Sequence, residues 1–128
     1  MIVLDANVII AYLDGDHVHH RRAEQLLARE VDDDFGANSL TLAEVLVIPA
    51  REQCLDVVRT VLQDLEIQEL PFPGDTALQL AQLRADTGLT MPDCCVLLAA
   101  EHATARVASF DEQLTRAATA RHLETVTD

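Results

Sequence analysis

The sequence predicts a three-layer α/β/α sandwich with a mostly parallel central sheet. Short apolar strands alternate with helical segments, and the first strand, Ile2–Leu4, is apolar on both faces, as in a strand buried inside a parallel sheet. The 128 residues suit one domain, and no repeat, linker or low-complexity tract interrupts them, so we expect a single domain over residues 1–128. The predicted element order is β-α-α-β-α-α-β-α-α-β-α-β.

Apolar runs and helical spacing alternate through the first half of the chain. Strands are expected where apolar residues are consecutive, and helices where they recur every three or four positions. Turn residues such as Asp14-Gly15-Asp16 separate these segments. The elements predicted on this basis are a strand at Ile2–Leu4, a helix over Val8–Leu13, a helix around Ala23–Leu27, a strand at Phe35–Ala37, a helix from Thr41 to near Pro49, a helix over Leu55–Leu65 and a strand over Leu65–Leu70.

The second half of the chain follows the turn at 71–74. Gly88 suits the left-handed conformation that closes a helix. The remaining predicted elements are a helix from Ala77 to Leu83 closed by Gly88, a helix over Met91–Ala103, a fourth strand in which Val107 and Ala108 lead into Ser109-Phe110-Asp111, a helix over Glu112–Arg121 and a last strand over Leu123–Val126.

The composition excludes several classes of protein. Nine basic residues, all arginine, stand against 22 acidic ones, and the net charge of −13 repels polyanions. Chemistry that requires lysine, such as P-loop phosphate binding or Schiff-base formation, is excluded. An odd count of three cysteines favours reduced thiols and a cytoplasmic location. Because no cationic segment precedes an apolar run and no apolar run is long enough to cross a bilayer, we expect neither export nor membrane insertion.

Four acidic residues stand where chemistry is expected. Asp5 and Asp111 each follow an apolar strand, and ligands of open parallel sheets bind beyond the carboxyl ends of the strands. Glu44 and Asp93 lie in otherwise apolar helical segments. Burying an acid there is costly unless the acid is paired, hydrogen-bonded or bound to a metal.

A structural interpretation of these acids stays open. The spacing of a capping box, which is common in helical proteins, occurs at Thr41-x-x-Glu44, Thr90-x-x-Asp93 and Ser109-x-x-Glu112. If instead the four acids converge, like-charge repulsion would raise some of their pKa values unless a divalent cation neutralises them. Oxygen ligands suit Mg²⁺ or Mn²⁺, and such a site favours phosphodiester hydrolysis by a water that the cation orients and acidifies.

Four segments of the chain resemble the PIN-domain nucleases, specifically the compact VapC-type toxins of bacterial toxin–antitoxin pairs. They are Ile2-Val3-Leu4-Asp5-Ala6-Asn7, Leu42-Ala43-Glu44-Val45-Leu46, Leu89-Thr90-Met91-Pro92-Asp93 with the apolar run to Ala100, and Val107-Ala108-Ser109-Phe110-Asp111. The resemblance covers the whole chain and implies a PIN-like fold and Mg²⁺- or Mn²⁺-dependent endoribonuclease activity. It matches Asp5, Glu44, Asp93 and Asp111 to the family's acidic quartet, as catalytic residues and metal ligands. It also matches Asn7 and Ser109 to polar positions that orient the quartet.

The same resemblance implies partners. The substrate would be RNA, and Arg21 and Arg22 on the second helix, the densest cationic segment, are the candidate nucleic-acid contacts. A cognate basic antitoxin, initially disordered, would put an arginine among the carboxylates, which suits so acidic a chain. Toxins of this kind pair as homodimers, and the apolar edges of the helices from Leu42 to Leu65 are the candidate dimer face.

Two alternative functions come from other classes. An aspartate-nucleophile phosphatase or a phosphoacceptor receiver also has an Asp after a strand, but the families it would resemble use a lysine, which this chain lacks. A non-catalytic acidic α/β module that binds a basic protein partner stays open. Loss of one member of the quartet would favour that module, and all four positions are filled.

Overall fold

The computed structural model describes residues 1–126, so the last two residues of the predicted domain lie outside the described part. Its strands are β1 (Ile2–Leu4), β2 (Phe35–Asn38), β3 (Ile67–Leu70), β4 (Arg106–Ala108) and β5 (Thr125–Val126). Within the described residues they form one sheet in the order β3-β2-β1-β4-β5, and all the pairings are parallel. The predicted α/β class and its parallel sheet are confirmed.

Helices cover both faces of this sheet. One layer contains α1 (Ala6–Leu13), α2 (His20–Arg29), α3 (Ser39–Arg51) and α4 (Leu55–Asp64), and the other contains α5 (Thr76–Thr87), α6 (Met91–Ala103) and α7 (Glu112–Ala120). Successive side chains of a strand point to opposite faces, so Ile2 and Leu4 pack against the first layer and Val3 against the second. The element order is the predicted one.

The sheet has a switch point between β1 and β4. From β1 the chain steps outward to β2 and β3, and it then crosses to β4 and β5 on the other side. Such a reversal opens a crevice beyond the carboxyl ends of the two central strands. Asp5 follows β1 and Ser109 follows β4, so the fold brings these two residues to the same crevice.

Helix α3 begins two residues before the predicted start and ends two residues after Pro49. Asn38 is its N-cap, because the Asn38 Oδ1 accepts a hydrogen bond from the Thr41 backbone N–H at 2.9 Å. Thr41 therefore lies inside the first turn and does not form a capping box with Glu44. Pro49 removes one backbone donor but does not end the helix, which continues to Arg51.

The predicted fourth strand is too long. It ends at Ala108, because the Ser109 hydroxyl accepts a hydrogen bond from the Asp111 backbone N–H at 3.0 Å and turns the chain. The N-cap of α7 is Asp111, whose Oδ1 accepts from the Gln113 backbone N–H at 2.9 Å, so the predicted cap at Ser109 is also wrong.

Other boundaries depend on single residues. Glu66 has a left-handed φ of 56°, which ends α4 and delays β3 to Ile67. Gly88, with φ 70°, closes α5 as predicted, and α6 has the predicted bounds. In the described part of the chain, every helix falls short of the length and apolar character that crossing a bilayer demands.

Candidate active site at the carboxyl edge of the sheet

Asp5 lies between the end of β1 and the start of α1. It is the N-cap of α1, and its Oδ1 accepts a hydrogen bond from the Ala6 backbone N–H at 2.7 Å. Its Oδ2 accepts from the Ser109 hydroxyl at 2.7 Å, and its own backbone N–H donates to the Ala108 carbonyl at 2.9 Å. Both carboxylate oxygens are therefore oriented by donors, one from each central strand's end.

The segment 109–111 is held in place by α1. The Asn7 side-chain amide donates to the Ser109 hydroxyl at 3.2 Å, and its Oδ1 accepts from the Phe110 backbone N–H, also at 3.2 Å. Both the donor and the acceptor of the Asn7 amide therefore bind the segment 109–111. The Ser109 hydroxyl, positioned in this way, orients Asp5. Asn7 and Ser109 are the two residues to which the resemblance assigns the orientation of the acids.

The other three predicted acids come from three different helices. Asp111 caps α7, and Asp93 lies in the first turn of α6, where its backbone N–H donates to the Thr90 hydroxyl at 3.4 Å. The predicted cap at Thr90 is confirmed. Glu44 lies in α3 and is exposed.

The electrostatics couple all four acids. Burial raises the pKa of Asp5 to about 6; the Ser109 hydrogen bond opposes this rise, and the charges of Asp93 and Asp111 add to it. Loss of solvent also raises the pKa of Asp93, with a contribution from Asp111. Although Glu44 is exposed, the protein displaces part of its solvent, and this raises its pKa, with a contribution from Asp93. The charge of Asp93 therefore acts on both Asp5 and Glu44 and links the group.

The donor set of this site fits a hard divalent cation. Across residues 1–126, no three His, Cys, Asp or Glu side chains stand close enough to enclose a metal ion by themselves. Mg²⁺ needs no such enclosure, because it keeps several of its waters and commonly takes one or two carboxylates directly. Repulsion among four carboxylates is the charge pattern that such a cation relieves. The residues therefore fit Mg²⁺ or Mn²⁺ with much of its water retained.

Helix α2 places Arg22 beside this site. The Arg22 guanidinium lies over the Phe110 ring, 4.5 Å from its centroid, and donates to the His19 Nδ1 at 3.3 Å. The His19 ring contacts Phe110 with the ring centroids 5.4 Å apart. Arg21, the other predicted nucleic-acid contact, is exposed on a different face, because consecutive residues of a helix are about 100° apart around its axis.

Sequence reasoning missed the role of Phe110 and its contact with His19. The sequence predicts Phe110 in a strand, whereas it is the middle residue of the turn that Ser109 and Asp111 form. The available signal was the Ser-x-Asp spacing directly after the strand, which is typical of turns closed by a serine side chain. The contact of His19 with Phe110 depends on how α2 packs, and no local motif indicates it.

The chain is an α/β/α protein with a parallel central sheet. Four carboxylates that influence one another electrostatically form an acidic site at the switch point of this sheet. The model of the PIN domain family matches residues 2–120, and the chain belongs to this family. Proteins with PIN domains are generally nucleases, so membership supports a nuclease. No curated protein matches the sequence closely enough to count as a relative.

Solved structures share the fold at low sequence identity. FitAcB from Neisseria gonorrhoeae has a TM-score of 0.76 at 22% identity, covering 99% of this chain and 97% of that chain. A toxin–antitoxin complex from Klebsiella pneumoniae has a TM-score of 0.75 at 21% identity, with 90% of both chains covered. VapBC2 from Rickettsia felis, bound to a DNA fragment from its promoter, has a TM-score of 0.70 at 15% identity, covering 98% of this chain and 97% of that chain.

Proposed function

We propose that this protein is a Mg²⁺- or Mn²⁺-dependent endoribonuclease of the cytoplasm and the toxin of a type II toxin–antitoxin pair. The observation that carries the proposal is the electrostatically coupled group of Asp5, Glu44, Asp93 and Asp111 at the switch point of a PIN-family fold. A bound cation would supply acidification of a water and neutralisation of charge on the scissile phosphate.

Each residue of the site would have a distinct task. Asp5, Glu44, Asp93 and Asp111 would hold the cation, directly or through the waters that it retains, and both oxygens of Asp5 are already oriented. The Ser109 hydroxyl favours the ionised form of Asp5, because its hydrogen bond lowers the Asp5 pKa against the effect of burial. Asn7 would keep Ser109 and Asp111 in register with Asp5 by bridging the turn between them.

The test is cleavage of total RNA by purified protein with Mg²⁺, with Mn²⁺ or with EDTA. We expect discrete cuts by the wild type in either metal and none in EDTA. Asp5→Asn, Glu44→Gln and Asp93→Asn should be folded by circular dichroism and inactive, because each removes one anionic oxygen ligand. Asp64→Asn removes the same charge from the exposed end of α4 and should cleave like the wild type.

One result would reverse the assignment. If the folded wild type leaves RNA intact in both metals while basic peptides still bind it, the acids belong to a binding surface. The protein would then be the non-catalytic acidic module. Equal cleavage of RNA by Asp93→Asn and by the wild type would contradict the proposed mechanism, because the four acids would then not be needed for cleavage.

The proposed partner in the cell is a basic antitoxin. Two observations support it: the net charge of −13, and the fold shared with a chain of a toxin–antitoxin complex. An arginine inserted among four repelling carboxylates would relieve their repulsion as a cation does. An arginine-bearing antitoxin segment should therefore compete with Mg²⁺ for the site, and excess Mg²⁺ should weaken its binding in calorimetric titration.

We also propose a homodimer that pairs through α3 and α4. These helices leave Val47 44%, Ile48 58% and Val57 66% exposed, an apolar surface that favours contact with a protein. Light scattering of the eluted protein should give twice the mass of the 14.1 kDa chain. Ile48→Asp should give the single-chain mass, whereas Val18→Asp, at an exposed valine before α2, should leave the dimer intact.

A further inference from the structure

A cavity of about 660 Å³ adjoins the acidic site and shares Ser109 and Asp111 with it. Its walls come from the segment 109–111, from α7 and from the start of β5, and Arg22 of α2 closes one side. Volumes of about 300 to 1,000 Å³ are typical of small-ligand sites. Because Ser109 and Asp111 belong both to this cavity and to the acidic site, a ligand in the cavity lies directly beside the Asp111 carboxylate.

The cavity contains two guanidinium groups, in a chain with only nine basic residues. Arg22 is kept in place by the Phe110 ring and by His19, so its position is set before any ligand arrives. Arg116 is 79% exposed and pairs with Glu112 of the same helix at 3.3 Å. An exposed ion pair of this kind contributes little to stability. A phosphate can therefore replace Glu112 as the partner of the Arg116 guanidinium with little loss of free energy.

Two carboxylates also line the cavity, but Asp111 is assigned to the cation and Glu112 pairs with Arg116, so the two guanidinium groups favour a nucleotide over a basic peptide. Guanidinium groups bind phosphate oxygens with paired, charge-assisted hydrogen bonds, and they repel arginine or lysine side chains. A phosphodiester chain that places one phosphate at the carboxylates must continue past them. The cavity is where the neighbouring nucleotide can enter, with its own phosphate towards Arg22 and Arg116.

We infer that this cavity is a subsite for the nucleotide next to the scissile phosphodiester, bound through Arg22 and Arg116. The inference rests on the proposed nuclease function, because only a nuclease has a scissile phosphodiester. Binding of a nucleotide to the cavity can nevertheless be measured without cleavage. Within the cavity, Arg116 contacts the ligand, and Phe110 acts as a positioning residue that holds Arg22.

The experiment is an amide NMR titration of the full ¹⁵N-labelled chain in Mg²⁺. The probes are the four nucleoside 3′,5′-bisphosphates, then inorganic phosphate, then a hexa-arginine peptide. Saturable shifts at Thr115, Thr119 and Val126 are expected with at least one bisphosphate. Arg116→Gln should weaken that binding roughly tenfold, a loss of about 1.4 kcal/mol. Arg59→Gln, an exposed change of the same charge on α4, should leave the dissociation constant within about twofold.

Arg22→Gln tests the second guanidinium, and Ala120→Trp provides a variant that leaves both arginines intact. Ala120 is exposed at the cavity wall, so a tryptophan there should fill the cavity without disturbing the core. We expect it to abolish the shifts even if Arg22→Gln fails to fold. The subsite is overturned if no bisphosphate gives saturable shifts, if phosphate alone binds as tightly, if hexa-arginine binds instead, or if Arg59→Gln weakens binding as much as Arg116→Gln does.

The two proposals fail separately. RNA cleavage by each variant is measured in parallel with the titration. Bisphosphate binding without RNA cleavage would support the nucleotide site and contradict the nuclease function. Cleavage without saturable shifts would leave the nuclease standing and overturn the subsite.

Discussion

At the scale of single residues, the hydroxyl of Ser109 joins the ends of the two central strands. It donates to Asp5 and accepts from both the Asn7 amide and the Asp111 backbone N–H. The residue is only 8% exposed, so these hydrogen bonds act where water competes weakly. The hydroxyl therefore couples the position of a turn to the ionisation of a carboxylate.

Replacing Ser109 tests that coupling. Ser109→Ala removes the donor that lowers the Asp5 pKa, so this pKa should rise above that of the wild type. Loss of a group that orients a metal ligand commonly lowers activity roughly 10- to 100-fold. The acid limb of the pH profile for RNA cleavage should move to higher pH, and ¹³C NMR of the carboxyls should show the same shift. Ser39→Ala, which removes a contact with Glu69, is the matched control and should leave the profile in place.

The pKa of Asp5 also predicts a pH-dependent stability of the protein in EDTA. Its folded pKa of about 6 lies above the unfolded value of about 3.9, so the folded state holds the proton more tightly. Stability therefore falls as pH rises from about 4 to 6, and ionised Asp5 opposes folding above that range by about 3 kcal/mol. Asp5→Asn should be more stable relative to wild type at pH 7.5 than at pH 4.

Urea unfolding at both pH values measures this difference and cancels any pH-independent cost of the amide. The same relative stability at pH 4 and pH 7.5 would show that Asp5 is not perturbed in the folded chain. Asp64→Asn provides the comparison for a carboxylate on the surface of α4.

At the scale of elements, three helices begin next to the site, and each begins on a side chain that caps it. Asp5 caps α1, Asp111 caps α7, and Thr90 caps the helix that carries Asp93. Capping residues fix the first turn of a helix and satisfy its unpaired N–H groups. The positions of the acids therefore follow from where the helices start.

The cap at Thr90 can be tested without touching an acid. Thr90→Ala should lower the free energy of unfolding by about 1 kcal/mol and reduce RNA cleavage, because the first turn of α6 carries Asp93. Thr90→Ser keeps a hydroxyl in the same place and should restore both properties. Restored stability without restored cleavage would mean that the turn does not position Asp93.

The sequence predicts elements best where local signals agree. Helix α6 has the predicted bounds because Thr90, a proline in the first turn and a long apolar run all indicate the same start. The start of α3 was missed because its cap, Asn38, is 1% exposed within a strand, where nothing local separates a cap from a buried polar residue. The predicted β4 is too long because Phe110 continues the apolar run, although the Ser109 side chain already turns the chain towards Asp111.

The candidate acids were predictable for a different reason. A carboxylate directly after an apolar strand faces the carboxyl edge of a parallel sheet whatever the details of packing. Which arginine lies beside them was not predictable. Nothing in the local sequence indicates whether Arg21 or Arg22 lies near the acids. Only the packing of α2 against Phe110 distinguishes the two residues.

At the scale of the whole molecule, a cluster of ion pairs lies at the opposite edge of the sheet from the acids. Arg106, at the start of β4, contacts Glu30 at 3.0 Å and Asp33 at 2.9 Å. Asp33 also pairs with the amino group of Met1 at 2.9 Å, and these contacts hold its pKa down at about 2. The cluster joins the starts of β1 and β4 to the segment that leads into β2.

Asp33 should therefore lose its stabilising effect in acid. Its folded pKa lies below the unfolded value, so its contribution is present above about pH 4 and is lost as pH falls towards 2. Asp33→Asn should lower the thermal midpoint slightly at pH 7, and the difference from wild type should disappear near pH 2. A constant difference across that range would show that the ion pairs are not the cause. Asp32→Asn, at an exposed neighbour, is the control.

The hydrogen bond between Asp5 and Ser109 closes a loop of 104 residues, which has a consequence for the order of folding. Contacts between distant parts of a chain form late, because the entropy of loop closure must be overcome before they contribute. On the ribosome, Asp5, Glu44 and Asp93 are synthesised before the turn at 109–111. Until that turn is made, the nascent chain lacks the Ser109 hydrogen bond that orients Asp5. Stopped-flow measurements should show Ser109→Ala accelerating unfolding and leaving the folding rate unchanged, the kinetic signature of a contact made after the transition state.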